Sequence, residues 1–273
     1  MSASIQNDRK PPPDRAPGWS THRVPGWRRL APLQWLGSLA FTTQLFLLSL
    51  VWGAVITSFG WLPFHALYRF ARGWAGSNLW LAKTLCGLEW TVEGSEHIPR
   101  EGAHVSMWKH TSAWETMAQM VVMPPQAWVL KREILWIPLV GWATWCLKCI
   151  AIDRGAGHRA VNQVLDQGRE RLAAGIWVLV FPEGTRVEPG RTRKYGMSGA
   201  LLASQSGALI VPVAHNAGDF WPRRGLVKKP GRIRVVIGPP IASAGRDPRA
   251  LNREVEAWIE GTMRAISTPS GGS

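Results

Sequence analysis

From Leu30 to Tyr68 the chain carries no Asp, Glu, Lys or Arg. No other feature restricts the fold as much, because its densest part, Phe41 to Trp61, is long enough to cross a hydrocarbon layer of roughly 30 Å. Thr42, Thr43, Gln44, Gly53 and Gly60 dilute the apolar character. Arg28 and Arg29 precede the segment while Arg69 and Arg72 follow it, so the positive-inside rule selects neither orientation. Such symmetric flanks suit a helical hairpin or amphipathic pair within one leaflet, broken near Gly60 or Pro63, as well as a single span. A cleaved secretory signal fits poorly, since the leader is long and no small-residue cleavage site stands out. The reading is a membrane-embedded helical region over residues 28–80, after a disordered basic tail at 1–27 that contains Pro11-Pro12-Pro13.

The 273 residues suffice for one large domain that needs neither metal nor disulfide to stabilise its core. A formal charge of +14 favours an anionic partner, whether lipid headgroup, nucleic acid or acidic carrier protein. The 17 tryptophans tilt that choice toward lipid, because indole settles where apolar and aqueous regions meet. Cys86, Cys146 and Cys149 are too few for a disulfide framework and read as packing residues in a reducing compartment. Neither a His-Glu-x-x-His pattern nor a second Cys-x-x-Cys pair occurs, so no metal site is expected.

Beyond the apolar region, strands are expected at Leu88–Gly94, Ala103–Met107, Ala127–Leu130, Cys149–Ile152, Ile176–Phe181, Ala208–Val213 and Arg232–Ile237. Helices are expected at His158–Ala174, Gly199–Gln205 and Asp247–Ile266, the first stopped by Gly175. Alternating strands and helices predict an α/β fold with a mixed, mostly parallel sheet flanked by helices. Ligands gather beyond the carboxyl ends of such strands. His110, Lys131 and the stretch Glu183 to Arg186 all stand at that expected edge.

His110 follows the second strand and Glu115 begins the next helix, so the carboxylate can take the Nδ1 proton and leave Nε2 to act as a base. Ser112-Ala113-Trp114-Glu115 is equally a capping box, in which Glu115 satisfies backbone donors. Phe181-Pro182-Glu183-Gly184-Thr185-Arg186 offers backbone donors and a two-pronged guanidinium for a phosphate, with Gly184 allowing close approach and Glu183 orienting Arg186 or a turn amide. A plain surface turn is the alternative, and Lys131 and Arg132 could be solvated charges.

Taken in order, His110 to Glu115, Lys131-Arg132-Glu133-Ile134-Leu135-Trp136-Ile137-Pro138, Phe181 to Arg186, and Val211-Pro212-Val213-Ala214-His215-Asn216 resemble the four sequence blocks of the lysophosphatidic acid (1-acyl-sn-glycerol-3-phosphate) acyltransferase family. The resemblance covers roughly Leu88 to Ile241. It implies an acyltransferase domain, read over residues 81–268, and a flexible tail is expected at 269–273. It makes His110 the catalytic base and Glu115 its partner, although the family's commonest first block has Asp at that place. Lys131, Arg132, Glu183, Gly184, Thr185 and Arg186 become candidates for holding the acceptor phosphate, and Pro212 would help shape the acyl-donor side. Oxyanion donors are sought among the amides at the start of the His110 helix.

The implied reaction moves a fatty acyl group from acyl-CoA or acyl-carrier protein to the sn-2 hydroxyl of lysophosphatidic acid, giving phosphatidic acid. The thioester serves as co-substrate and no cofactor is implied. Without a Gly-x-Ser-x-Gly elbow, no acyl-enzyme is expected. Expected partners are membrane phospholipid, lysophosphatidic acid and the acyl donor, with no nucleic acid. The expected location is the inner membrane, catalytic domain on the cytoplasmic face. Alternatives are another lysolipid acceptor or a non-catalytic membrane protein.

Overall fold

The computed structural model describes residues 31–267. The expected tails at 1–27 and 269–273, and Arg28 and Arg29, lie outside the described residues.

Two helices form a hairpin, one of the arrangements the sequence left open. Helix α1 spans Ala31–Ser58 and α2 spans Phe64–Cys86, with Gly60 and Pro63 in the turn between them. At 28 residues α1 is about 42 Å long. Its polarity is inverted relative to a helix on a water-soluble protein. Leu36, Phe46, Leu47, Leu50 and Val51 are exposed, whereas Ser38 and Gly53 are buried. Ser38 Oγ accepts from the Lys228 amide at 2.9 Å, the Thr42 hydroxyl accepts from Lys228 Nζ, and Gln44 donates to Asn78 at 3.2 Å. Of the residues that dilute the apolar segment, Thr42, Gln44 and Gly53 help dock it, together with the buried Phe41 and Ile56. Contacts extend from Gln34, which donates to the Lys228 carbonyl, to Thr57, which donates to the Leu139 carbonyl at 3.4 Å.

Helix α2 buries Phe64, Leu67, Tyr68, Ala71, Ala75, Asn78, Leu79, Ala82 and Cys86, a continuous stripe at helical spacing. Gly87 ends it at φ +72, a left-handed cap that glycine adopts without strain. Because the stripe runs through to Cys86, residue 80 is not a structural break, and the hairpin shares one core with the rest of the chain.

The sheet contains β1 (Leu88–Glu93), β2 (Val105–Trp108), β3 (Gln126–Lys131), β4 (Ile150–Ile152), β5 (Trp177–Val180), β6 (Ile210–His215) and β7 (Gly231–Ile237). Their order is β1-β7-β6-β2-β5-β3-β4, and every neighbouring pair is parallel except β6 with β7. The mixed, mostly parallel sheet flanked by helices is thus present. The remaining helices are α3 (Glu115–Val122), α4 (Val140–Cys146), α5 (His158–Ala173), α6 (Ser198–Ser206), α7 (Ala217–Phe220) and α8 (Pro248–Ile266). Side chains alternate across the strands as the pleat requires. Trp177 and Leu179 join the core beneath α1, α2 and α3, whereas Val178 and Val180 join the core beneath α5, α6 and α8.

Helix α4 was not expected from the sequence. It begins after Leu139, whose φ of +64 is strained for a branched side chain, and its Trp142 and Trp145 are exposed. The first of the Cys146-Leu147-Lys148-Cys149 thiols lies against α1 near Gly60, and the second is buried at the start of β4. Both pack, as free cysteine usually does.

Candidate active site

Strands β2, β5 and β3 are adjacent and parallel, so their carboxyl ends open on one edge. His110 leaves the end of β2 and lies between strand and α3. Its Nδ1–H donates to Glu115 Oε1 at 2.8 Å. The same oxygen accepts from the amides of Thr111 and Ser112 at 3.0 and 2.9 Å. The orienting and capping readings of Glu115 are therefore both true of one carboxylate oxygen. The extra methylene relative to Asp is taken up by the turn, as a 2.8 Å contact requires. With Nδ1 donating to an ionised acceptor, Nε2 carries the lone pair.

Burial opposes charge on Glu115, but the His215 and His110 imidazoles and the Ser112 amide outweigh it and hold the carboxyl below its ordinary value. His215 stands behind it, with Nε2 3.9 Å from Glu115 Oε2. This Nε2–H donates to the Lys109 carbonyl at 2.7 Å, and Nδ1 accepts from the Ala217 amide at 3.3 Å. Burial lowers the His215 pKa, only partly offset by Glu115, so the folded ring takes a proton less readily than the unfolded one. The unfolded chain then binds the proton more readily, and His215 costs stability as pH falls through the ordinary histidine value of 6.5. Unfolding free energy is expected to fall between pH 7 and about 5.5, with a shallower fall for His215→Asn. Denaturant titrations of the two proteins at both pH values would check this, and equal slopes would contradict it.

The stretch Phe181 to Arg186 is fastened to His110 at both ends. Phe181 stacks on the imidazole with centroids 4.1 Å apart and planes 20° apart. The Val187 amide, immediately after Arg186, donates to the His110 carbonyl at 2.8 Å. Between them Gly184 N–H closes a tight turn onto the Phe181 carbonyl at 2.9 Å. Gly184 has φ +68, and no atom stands within 4 Å of where a Cβ would project. Glycine is required there by backbone conformation, and the space above it is open. Thr185 and Arg186 are half-buried.

Glu183 departs from its expected task. It is 3% exposed and points inward, with Oε1 3.0 Å from Lys109 Nζ, instead of orienting Arg186 or a turn amide. Burial raises its pKa, and the Lys109 charge only partly compensates. Lys131 ends β3 and Arg132 follows it, two strands from β2 and hence about 10 Å from it in the sheet. Lys131 pairs with Glu133 at 3.4 Å and Arg132 with Asp153 at 3.0 Å, both largely exposed. Pairs of that kind contribute at most about 1 kcal/mol and yield readily to a phosphate.

A cavity of about 320 Å³ opens beside His110. His110, Thr116 and Phe181 form one wall, while Ser49, Trp52, Gly53 and Ile56 of α1 and Val140, Ala143, Thr144 and Leu147 of the α4 region form another. The lining is mostly apolar. Pro212 lies within the sheet opposite Met107 and is not among the residues lining that cavity. The amides of Thr111, Ser112 and Trp114 are already bonded to Glu115 or Ser112, so they do not supply the oxyanion contact sought at the helix start.

An imidazole just beyond β2 oriented by a carboxylate, an Arg186-bearing turn fastened to it and an apolar cavity beside it thus meet at one sheet edge. A family model described as Acyltransferase matches residues 89–216, which include His110, Glu115, Lys131, Arg132 and Glu183 to Arg186. The chain is 41% identical to the 1-acyl-sn-glycerol-3-phosphate acyltransferase of Pseudomonas aeruginosa over 243 residues, covering 87% of this chain and 94% of that protein. It is 31% identical to the 1-acyl-sn-glycerol-3-phosphate acyltransferase alpha of Mus musculus, covering 77% and 79% of the two chains. The fold matches the crystal structure of the 1-acyl-sn-glycerophosphate (LPA) acyltransferase from Thermotoga maritima with a TM-score of 0.71 at 20% identity, over 87% of this chain and 97% of that one. The chain belongs to the 1-acyl-sn-glycerol-3-phosphate acyltransferase family.

Proposed function

We propose that the enzyme transfers a fatty acyl group from acyl-CoA or acyl-carrier protein to the sn-2 hydroxyl of lysophosphatidic acid, releasing the thiol and phosphatidic acid. The observation that carries the reading is His110, hydrogen-bonded through Nδ1 to an ionised Glu115 and facing an apolar cavity through the rest of its ring. Nε2 takes the hydroxyl proton as the alkoxide oxygen bonds to the thioester carbon. When the carbon–sulfur bond breaks, the same proton passes to the departing thiolate. Glu115 stabilises the imidazolium in between.

Arg186, Thr185 and the backbone of Gly184 hold the acceptor phosphate, with Lys131 and Arg132 contributing charge from the same sheet edge. Glu183 acts from beneath the turn. The cavity between β3, α1 and α4 accepts the acyl chain. A bulkier side chain on its wall should shorten the chain that fits. For Ala143→Phe the expected result is a donor preference shifted to shorter acyl groups, read from product chain lengths with mixed donors; an unchanged profile would contradict that assignment of the cavity.

The exposed face of α1 supports seating in a membrane, since contiguous apolar surface of this kind is unfavourable in water. Trp61, Trp136, Trp142 and Trp145 are exposed around the same region and suit the interfacial layer. Because α1 contacts the domain from Gln34 to Thr57, we assign it to one leaflet of the inner membrane, with the catalytic domain on the cytoplasmic face where thioester donors are made. A matrix of acyl-CoA and acyl-carrier-protein donors against lysophosphatidic acid, lysophosphatidylcholine and lysophosphatidylethanolamine tests the reading. Fastest transfer to lysophosphatidic acid supports it, and a faster rate with a zwitterionic acceptor refutes it.

A further inference from the structure

Lys109 immediately precedes His110 and is 1% exposed. Its Nζ lies 3.0 Å from Glu183 Oε1 and 2.6 Å from Glu260 Oε1, and the Tyr195 hydroxyl donates to that same Glu260 oxygen at 2.9 Å. The main chain of Lys109 is held too. Its amide donates to the Val213 carbonyl at 2.9 Å, and its carbonyl accepts from His215 at 2.7 Å. One side chain thus ties the residue before the base to the residue before Gly184, and Glu260 brings α8 into the same contact.

Stability alone gives little reason to bury such a group. A buried ion pair is often matched by apolar packing, whereas breaking it leaves a charge uncompensated, so its distinctive effect is to fix geometry. Such a constraint is needed here. The stretch from Phe181 to Val187 meets His110 at its ends, by the Phe181 stack and the Val187 amide, and space is open around Gly184 in its middle. The Lys109–Glu183 pair grips that middle from below.

We infer that Lys109 and Glu260 are positioning residues, which set the separation of His110 and Arg186 and so align the hydroxyl of a phosphate-anchored acceptor with Nε2. The inference rests on the functional reading above. Neither residue touches the reacting atoms. The cost of losing them is misalignment, which falls on turnover more than on acceptor binding.

Lys109→Met and Glu260→Gln, purified and checked for folding by tryptophan fluorescence and melting temperature, provide the test. Lys109→Met is expected to lower kcat of the folded enzyme by about 10- to 100-fold while the acceptor KM stays within about threefold. Glu260→Gln keeps shape and an acceptor oxygen, so a smaller fall of about three- to tenfold is expected, in the same parameter. Hydrogen exchange at residues 183–187 should quicken in both. Should Lys109→Met not fold, the Glu260→Gln result decides. Folded variants with wild-type kcat and unchanged exchange would overturn the inference, as would a rise in KM alone. If the wild-type protein fails to acylate lysophosphatidic acid, the functional reading falls, and exchange at residues 183–187 still decides whether the clip holds the turn.

Discussion

Replacing His110 by Ala is expected to reduce acyl transfer by about 10²- to 10⁴-fold, the usual contribution of a positioned general base. No other described side chain offers a ring nitrogen at that place. His215, the nearest alternative imidazole, donates its Nε2 proton to the Lys109 carbonyl and accepts at Nδ1 from Ala217, so both of its nitrogens are occupied. Lysolipid binding should survive in His110→Ala, because the phosphate contacts come from Arg186 and the Gly184 turn. Glu115→Gln separates the two tasks of Glu115. It can still cap Thr111 and Ser112 through its amide oxygen, but it no longer stabilises an imidazolium. A large loss of kcat with near-normal melting temperature is expected, and a mild loss would reduce Glu115 to a cap.

Arg186→Ala carries the second large effect. A charge-assisted hydrogen bond contributes about 1.5 to 3 kcal/mol. Losing one should therefore raise the acceptor KM by roughly 10- to 150-fold, with kcat less affected. Arg186→Lys should recover only part, because an ammonium lacks the planar two-pronged geometry. Steady-state kinetics with varied lysophosphatidic acid at saturating donor would check both. An unchanged KM in Arg186→Ala would move phosphate recognition to Lys131 and Arg132, whose exposed pairs with Glu133 and Asp153 are easily exchanged.

The His110–Glu115 contact and the turn after β5 were legible because each lies in a short local pattern at the end of a strand. The strands themselves were readable from apolar runs, and α8 from Asp247, which accepts from the Arg249 and Ala250 amides, and from its buried Leu251, Val255 and Ile259. Long-range polar partners were not. Lys109 and Glu260 meet across 151 residues, and nothing periodic marks a glutamate on a helix as the one that turns inward. His215 stood inside a recognised block without a role, since its partners, Glu115 and the Lys109 carbonyl, come from another strand end. The seven-residue helix α4 escaped because it is short, and strained Leu139 gives no start signal. The left-handed backbone of Gly184, φ +68, is a conformational demand that the hexapeptide alone does not display.

The central claim is direct transfer from a thioester to an alcohol anchored by its phosphate. It is tested most directly by incubating the purified protein in vesicles with a labelled acyl thioester and either lysophosphatidic acid or monoacylglycerol, which has the hydroxyl without the phosphate. The account predicts that thiol and phosphatidic acid appear one for one, with little thiol released when monoacylglycerol or no acceptor is present. Acylation of monoacylglycerol at the same rate, or a burst of thiol without any acceptor, would contradict it.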